Sequence, residues 1–104
     1  MSAPRVVAVV VTWNRRELLQ ESLAAVHGQT HPPAAIVVVD NASDDGTSEL
    51  LDSAYAGELG LDVVHLRANT GGAGGFAVGV ERALVHHPDL VWLLDDDTVP
   101  TPTA

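Results

Sequence analysis

Short, continuously apolar runs alternate along the chain with longer segments in which apolar residues recur at helical spacing. Four runs predict strands, at residues 6–11, 36–39, 61–66 and 90–94. The first two are continuously apolar and rich in β-branched side chains, a pattern that predicts strands buried in a parallel sheet. The third run is less apolar than the others, so we expect it nearer an edge of the sheet.

Helices are predicted between these strands. The first begins at Asn14, which forms a capping-box pattern with Glu17, and it ends at Gly28. A short helix follows the second strand, and a third follows the glycine-rich segment 69–75. Apolar residues recur at helical spacing in the first helix (Leu18, Leu19, Leu23 and Val26) and form one face of the third (Phe76, Ala77, Val80, Ala83 and Leu84), and the second contains Leu50, Leu51 and Ala54.

The order β-α-β-α-β-α-β predicts an α/β fold. With right-handed crossovers and short connections, such a chain forms a Rossmann-like parallel sheet with flanking helices. No repeat or linker divides the sequence, so residues 1–104 are predicted to be one domain, with an irregular tail at 98–104.

The composition is acidic, with a formal net charge of −9 and five cationic side chains, all of them arginine. This balance argues against a nucleic-acid partner, because phosphate backbones are bound by clustered cations. The apolar run at 6–11 is too short to span a membrane, so no membrane segment is expected in this chain. Cysteine is absent, which excludes thiolate metal sites and fits a reducing compartment.

Polar clusters follow each predicted strand, at residues 12–14, 40–45, 69–75 and 95–97. In an open parallel sheet, ligands bind beyond the carboxyl ends of the strands, near the point where the strand order reverses. Since all four clusters lie at such ends, the sequence predicts one binding site there.

Asp95, Asp96 and Asp97 form the most informative cluster. Adjacent carboxylates repel one another, and a hard divalent cation such as Mg²⁺ or Mn²⁺ removes that repulsion and can bridge to diphosphate oxygens. The alternative is a solvated acidic turn that ends a strand. Their place after a buried strand favours the metal site.

Two further clusters have a structural alternative. The Asp40 carboxylate could accept a hydrogen bond from a nucleobase N–H, or it could hold an Asx turn that leads through Ser43 to a helix start near Thr47. The glycines at 71–75 could present backbone N–H groups to an anion, or they could allow close packing of the helix on the sheet. The two interpretations are compatible in each case. Trp13 and Trp92 are predicted to pack, and most of the histidines to lie at exposed helix ends.

Taken together, residues 6–14, 38–47, 69–76 and 92–97 resemble, in order and spacing, the N-terminal half of family 2 glycosyltransferases, which have the GT-A fold. The form of the last two segments is most similar to the galactofuranosyl- and rhamnosyltransferase-like branch of bacterial envelope synthesis. The resemblance implies an inverting transfer from a UDP- or dTDP-sugar to a glycan or glycolipid acceptor, with Mg²⁺ or Mn²⁺. It also implies a cytoplasmic protein that could work at the inner face of the cell membrane.

By position, the resemblance implies the following roles. Thr12 and Asp40 would contact the base, with Asn14 beside them, and Asp95 and Asp97 would bind the metal. The residues implied to contact the nucleotide sugar are Thr12, Asn14, Asp40, Asn69, Gly71, Gly72, Asp95 and Asp96.

In this family the general base that deprotonates the acceptor lies downstream of the matched motifs, so no residue here is assigned that role. An alternative is therefore a truncated module that binds nucleotide and metal without turnover. A nucleotidyltransferase is a second alternative, although those enzymes usually carry a glycine-rich basic loop after the first strand, and residues 12–16 contain no glycine.

Overall fold

A computed structural model describes residues 4–96, except for the side chains of residues 54–56, and it confirms the predicted α/β fold. The strands are β1 (Val6–Thr12), β2 (Ala35–Asp40), β3 (Leu61–His65) and β4 (Leu90–Asp95). The helices are α1 (Arg16–His27), α2 (Thr47–Leu51), α3 (Ala54–Leu59) and α4 (Gly71–Leu84). Two short helices, α2 and α3, thus take the place of the single helix predicted after the second strand.

All strands pair in parallel, in the order β3-β2-β1-β4. The chain first moves outward from β1 to β3 and then returns to place β4 on the other side of β1, so the strand order reverses between β1 and β4. The predicted edge position of β3 is confirmed. β4 is also an edge strand of the described sheet. Leu90 and Leu93 are 57% and 51% exposed whereas Leu94 is buried, so this strand, predicted to be buried, is buried only in part.

The two central strands separate two layers of packed side chains. On one face, Val10 and Val38 contact a cluster that contains Leu19 and Leu23 of α1. On the other face, Val9 and its neighbours pack against α4. Because β1 and β2 have helices on both faces, their continuously apolar sequences are explained by burial on both sides.

Helix α1 does not begin with the predicted capping box. Its first residue is Arg16, no side chain caps it, and Asn14 has a φ of 50°. The Asn14 side chain instead bonds to Asp44 in the next loop. Leu18 is exposed rather than buried, because only Leu19 and the residues in register with it face the sheet.

Helix α4 packs through a face that only partly matches the predicted apolar face, of which Ala83 is buried and Phe76 packs against the core. Gly75, Gly79 and Ala83 are buried, whereas Ala77 and Leu84 are exposed. A Cβ atom on Gly79 would lie 2.4 Å from Cγ1 of Val9, and one on Gly75 would lie 2.6 Å from Cγ1 of Val11. These two glycines therefore let the helix backbone approach β1 directly, which is the packing role considered for this segment.

Over residues 4–96, no helix has the length and apolar character needed to cross a bilayer.

Replacing Gly79 with alanine is expected to destabilise the fold by about 1–3 kcal/mol, because the new methyl group would overlap Val9. Gly57→Ala is the matched control, since a Cβ there meets nothing within 4 Å. The control is expected to be neutral or to stabilise by up to about 1 kcal/mol. Urea denaturation measures both, and a Gly79→Ala protein as stable as the original would contradict this packing.

Candidate functional site

An open cleft of about 440 Å³ lies at the carboxyl ends of β1 and β4, with the first turn of α4 as its other wall. This is the point at which the strand order reverses. The lining residues are Val11, Thr12, Trp13, Arg15, Asn41, Asn69, Gly71, Gly72, Phe76, Asp95 and Asp96. The structure thus brings together six of the predicted site residues: Thr12, Asn69, Gly71, Gly72, Asp95 and Asp96. Asn14 and Asp40 lie outside the lining, and Asp97 lies outside the described residues.

Thr12 and Arg15 both contact Asp96 inside the cleft. Oγ1 of Thr12 donates a hydrogen bond of 3.1 Å to Oδ2 of Asp96. Nη1 of Arg15 lies 3.6 Å from Oδ1 of the same carboxylate. The Asp96 carboxylate is almost fully buried, and these contacts offset the cost of removing its charge from water.

Asp95 is exposed and faces the cleft. Leu94 points into the core on the α1 face, so the alternation of side chains along β4 turns Asp95 toward the start of α4. Its carboxylate makes no hydrogen bond or ion pair with other residues in the range 4–96. Asp95 can therefore offer its oxygens to a ligand in the cleft.

The described residues contain no cluster of three or more side chains that could hold a metal ion by themselves. Mg²⁺, however, is usually held by one or two carboxylates together with substrate phosphates and water. One open carboxylate at Asp95, beside a cleft large enough for a ligand, fits that mode of binding.

Asn41, which follows β2, joins two walls of the cleft. Its Nδ2 donates to the carbonyl oxygen of Gly71 at 3.0 Å, and its Oδ1 accepts from the backbone N–H of Thr70 at 2.9 Å. Its own N–H donates to the carbonyl oxygen of Thr12 at 2.9 Å. Sequence reasoning missed this role, and the only signal was an amide side chain directly after a buried strand.

The first turn of α4 is open to the cleft. Gly71 has a φ of 75°, and its N–H donates to Oδ1 of Asn69 at 2.7 Å. A Cβ atom at Gly71 or Gly72 would meet nothing within 4 Å. These glycines thus differ from Gly75 and Gly79: they leave space for a ligand, whereas the later pair serves packing.

Asp40 lies behind the cleft and is only 1% exposed. Its Oδ1 accepts from the N–H of Ser43 at 3.0 Å, and its Oδ2 accepts from the hydroxyl of Ser48 and contacts Nδ1 of His65. Burial raises the pKa of Asp40, but these hydrogen bonds outweigh it and hold the pKa below its usual value. The arrangement favours the alternative in which Asp40 organises the turn, and its contact with a base stays a prediction.

Asn14 joins the loop after β1 to the loop after β2. It exchanges two side-chain hydrogen bonds with Asp44, of 2.8 and 2.7 Å, and its N–H donates to Oγ of Ser43. Asn14 therefore supports the wall formed by these loops from outside the cleft.

The two tryptophans have different environments. Trp92 packs against the core, as predicted. Trp13 is 50% exposed and lines the cleft, so the prediction that it packs is wrong. Its position directly after the last residue of β1 places it beyond the two helical layers that cover the strand.

His65, the last residue of β3, bridges two carboxylates. Its Nδ1 is 2.9 Å from Oδ2 of Asp40, and its Nε2 is 2.6 Å from Oδ1 of Asp52. Burial lowers the pKa of His65, but the bonds to Asp52 and Asp40 outweigh it and raise the pKa above its usual value.

Comparisons with known proteins place these motifs in context. Residues 7–104 match the family model described as glycosyl transferase family 2. The galactofuranosyltransferase GlfT1 of Mycolicibacterium smegmatis is 46% identical over 104 aligned residues, which cover 95% of this chain and 32% of that protein. The chain thus spans about a third of the length of the curated relatives it matches.

Solved structures show the same fold. The crystal structure of S. aureus TarS in complex with UDP-GlcNAc aligns with a TM-score of 0.80 and 27% identity, covering 94% of this chain and 28% of that one. The mannosyltransferase PcManGT from Pyrobaculum calidifontis, in complex with GDP-Man and Mn²⁺, aligns with a TM-score of 0.78 and 30% identity. That alignment covers 97% of this chain and 30% of the mannosyltransferase.

His65 is expected to make the stability of the fold depend on pH. Because its pKa is raised on folding, its contribution is full below the unfolded value of about 6.5 and is lost as the pH rises through the folded value. The stability difference between the original protein and His65→Gln should therefore be larger at about pH 5.5 than at about pH 9.

Urea denaturation at both pH values measures this difference. Asp52→Asn removes one of the two carboxylate partners of His65 and should retain only part of the pH dependence. An equal loss of stability in His65→Gln at both pH values would show that the histidine does not gain a proton on folding.

Proposed function

The chain belongs to glycosyltransferase family 2, and from this premise we propose that it forms the donor-binding part of an enzyme that transfers sugar from a nucleotide sugar. The observation that carries the proposal is the cleft at the ends of β1 and β4, in which the exposed carboxylate of Asp95 lies next to Asp96, whose own carboxylate faces the guanidinium of Arg15. In the proposal, residues 1–104 are the N-terminal part of a GT-A domain. The length of the relatives, about three times that of this chain, supports this.

The donor would lie along the cleft, between the strand ends and the start of α4. Asn69, Gly71 and Gly72 would contact it from the side of α4, and Thr12 and Asp96 from the side of β1. The exposed indole of Trp13 offers an apolar face on which a planar base can stack. A UDP- or dTDP-sugar remains the proposed donor, and the UDP-GlcNAc complex of TarS supports it.

Asp40 and Asn14 enter the proposal as supports of the nucleotide site. Asp40 anchors the turn after β2 through Ser43 and Ser48, and Asn14 ties that turn to the loop after β1. For the Asp40 carboxylate to contact a base, it would have to give up its hydrogen bond to Ser43 or to Ser48. The same two loops border the cleft, so their rigidity preserves its shape in either case.

Asp95, together with Asp97, would hold Mg²⁺ or Mn²⁺ at the cleft. When bound, such a cation neutralises charge on a leaving diphosphate. Support comes from the open carboxylate of Asp95 and from the Mn²⁺ complex of the Pyrobaculum mannosyltransferase. The Asp96 carboxylate, which Thr12 and Arg15 already engage, would instead shape the cleft and contact the donor.

The proposed reaction inverts the configuration at the anomeric carbon of the transferred sugar. Its acceptor is a hydroxyl group of a glycan or glycolipid in cell-envelope synthesis, at the cytoplasmic side. Such a displacement needs a general base to deprotonate the acceptor. Asp95 and Asp96 are poor candidates, because a cation and a guanidinium lower the basicity of the carboxylates they contact. Assays of sugar transfer by this chain and by a protein of the relatives' length would show whether the chain transfers sugar or only binds the donor.

Calorimetric titration with UDP, dTDP and GDP, with and without Mn²⁺, tests donor binding directly. We expect UDP or dTDP to bind in the presence of Mn²⁺, and Asp95→Asn to weaken that binding about tenfold, or about 1.4 kcal/mol. Glu21→Gln is the matched control, because it removes the same charge from the exposed side of α1, and it should leave the nucleotide affinity unchanged.

Two results would overturn parts of the proposal. If the nucleotide binds with the same affinity with and without Mn²⁺, and both Asp95→Asn and Asp97→Ala leave that affinity unchanged, the proposed metal site is wrong. If none of the three nucleotides binds, the proposed donor site is wrong.

A further inference from the structure

We propose that Asn41 is a positioning residue for the donor, which holds the first turn of α4 in the arrangement that leaves the cleft open. The inference rests on the proposed function, because it concerns the same cleft. Asn41 comes directly after β2, is only 3% exposed, and lines the cleft together with Gly71. Its amide side chain therefore lies between the end of the sheet and the start of α4.

The backbone of Asn41 is fixed by the sheet. Thr12 and Asp40 are in register at the ends of β1 and β2, and one residue further on the N–H of Asn41 donates to the carbonyl oxygen of Thr12 at 2.9 Å. On the other side of β2, the N–H of Leu66 donates to the carbonyl oxygen of Asp40, also at 2.9 Å. The Asn41 side chain thus starts from backbone that two neighbouring segments hold in place.

The Asn41 side chain uses both ends of its amide on two consecutive residues. Its Nδ2 donates to the carbonyl oxygen of Gly71 at 3.0 Å, and its Oδ1 accepts from the N–H of Thr70 at 2.9 Å. The hydroxyl of Thr70 donates to the same Oδ1 at 3.3 Å. An amide can do this because it carries both a donor and acceptors, whereas a carboxylate has only acceptors.

The start of α4 needs such support because its own sequence favours a helix only weakly. Residues 71, 72, 74 and 75 are glycines, and glycine loses more conformational freedom on folding than any other residue. No side chain caps the helix at Thr70, and Gly71 has a φ of 75°. The bond from the N–H of Gly71 to Asn69 lies within the same turn, whereas the bonds of Asn41 tie that turn to the sheet.

A donor in the cleft would meet Gly71 and Gly72 on one side and Thr12 on the other. If the turn before α4 were free to move, ordering it would cost free energy when the donor binds, and the affinity would be lower. Asn41 avoids this cost because it orders the turn before the donor binds. Loss of its side chain should therefore weaken donor binding in a protein that is still folded.

Three variants separate this role from a general loss of stability. Asn41→Ala removes the side-chain bonds to residues 70 and 71 and keeps the backbone bond to Thr12. Asn41→Ser shortens the side chain but keeps a polar group, and it serves as the second variant if Asn41→Ala does not fold. Val26→Ala is the control, because Val26 is fully buried in α1 and packs on the face of the sheet opposite α4.

A thermal melt first shows that each protein is folded. Backbone amide hydrogen exchange is then measured by ¹⁵N NMR without ligand, and the affinity for UDP is measured by NMR titration in Mg²⁺. We expect the Thr70 amide of Asn41→Ala to exchange faster than in the original chain, with the Leu66 amide unchanged, and UDP to bind about tenfold more weakly. Asn41→Ser should lie between Asn41→Ala and the original chain, and Val26→Ala should match the original in both measurements although it melts at a lower temperature.

Faster exchange at Thr70 with an unchanged UDP affinity would overturn the inference, because donor binding would then not depend on this turn. A weaker UDP affinity with unchanged exchange at Thr70 would also overturn it, because Asn41 would then act on the donor directly. If the original chain does not bind UDP, the proposed donor site is wrong and the inference fails with it. That outcome is distinct from the other two, in which the original chain binds UDP.

Discussion

The parallel pairing of β1 with both β2 and β4 is the constraint on which the rest of the structure depends. Thr12 is in register with Asp40 on one side, and Val11 is in register with Asp95 on the other. Because the three strands run in one direction, their polar ends meet at one edge of the sheet. The burial of β1 between two helical layers fixes that edge, so the cleft is a consequence of how the core is packed.

The second wall of the cleft depends on how closely α4 approaches β1. Gly75 and Gly79 bring the helix backbone against Val9 and Val11, and Asn41 ties the residues at its start to the end of β2. One helix therefore combines a buried half that packs tightly with an open first turn that faces the cleft. Gly75 performs the packing role considered for the glycine-rich segment, and contact of its first glycines with an anion stays a prediction.

Much of this architecture could be predicted from the sequence. Buried parallel strands have continuously apolar sequences, and in this chain polar residues follow each strand. Asp95, Asp96, Gly71 and Gly72, which the sequence predicts to lie together at the strand ends, do line one cleft. The contacts of Gly75 and Gly79 on the buried face of α4 could not be predicted, since hydrophobic periodicity counts side chains and these contacts are made by glycine backbone. The bonds of Asn41 to residues 70 and 71, and the enclosure of Asp40 by Ser48 and His65, depend on contacts between separate segments.

The central claim is that a nucleotide sugar binds at the ends of β1 and β4. NMR shift mapping of the ¹⁵N-labelled chain with UDP and Mg²⁺ tests it most directly, because each backbone amide reports separately. We expect the largest changes in amide chemical shift at Thr12, Trp13, Asn69 and the first turn of α4. Shifts centred instead on the groove between β3 and α4, which is lined by residues such as Val64 and Val78, would contradict it.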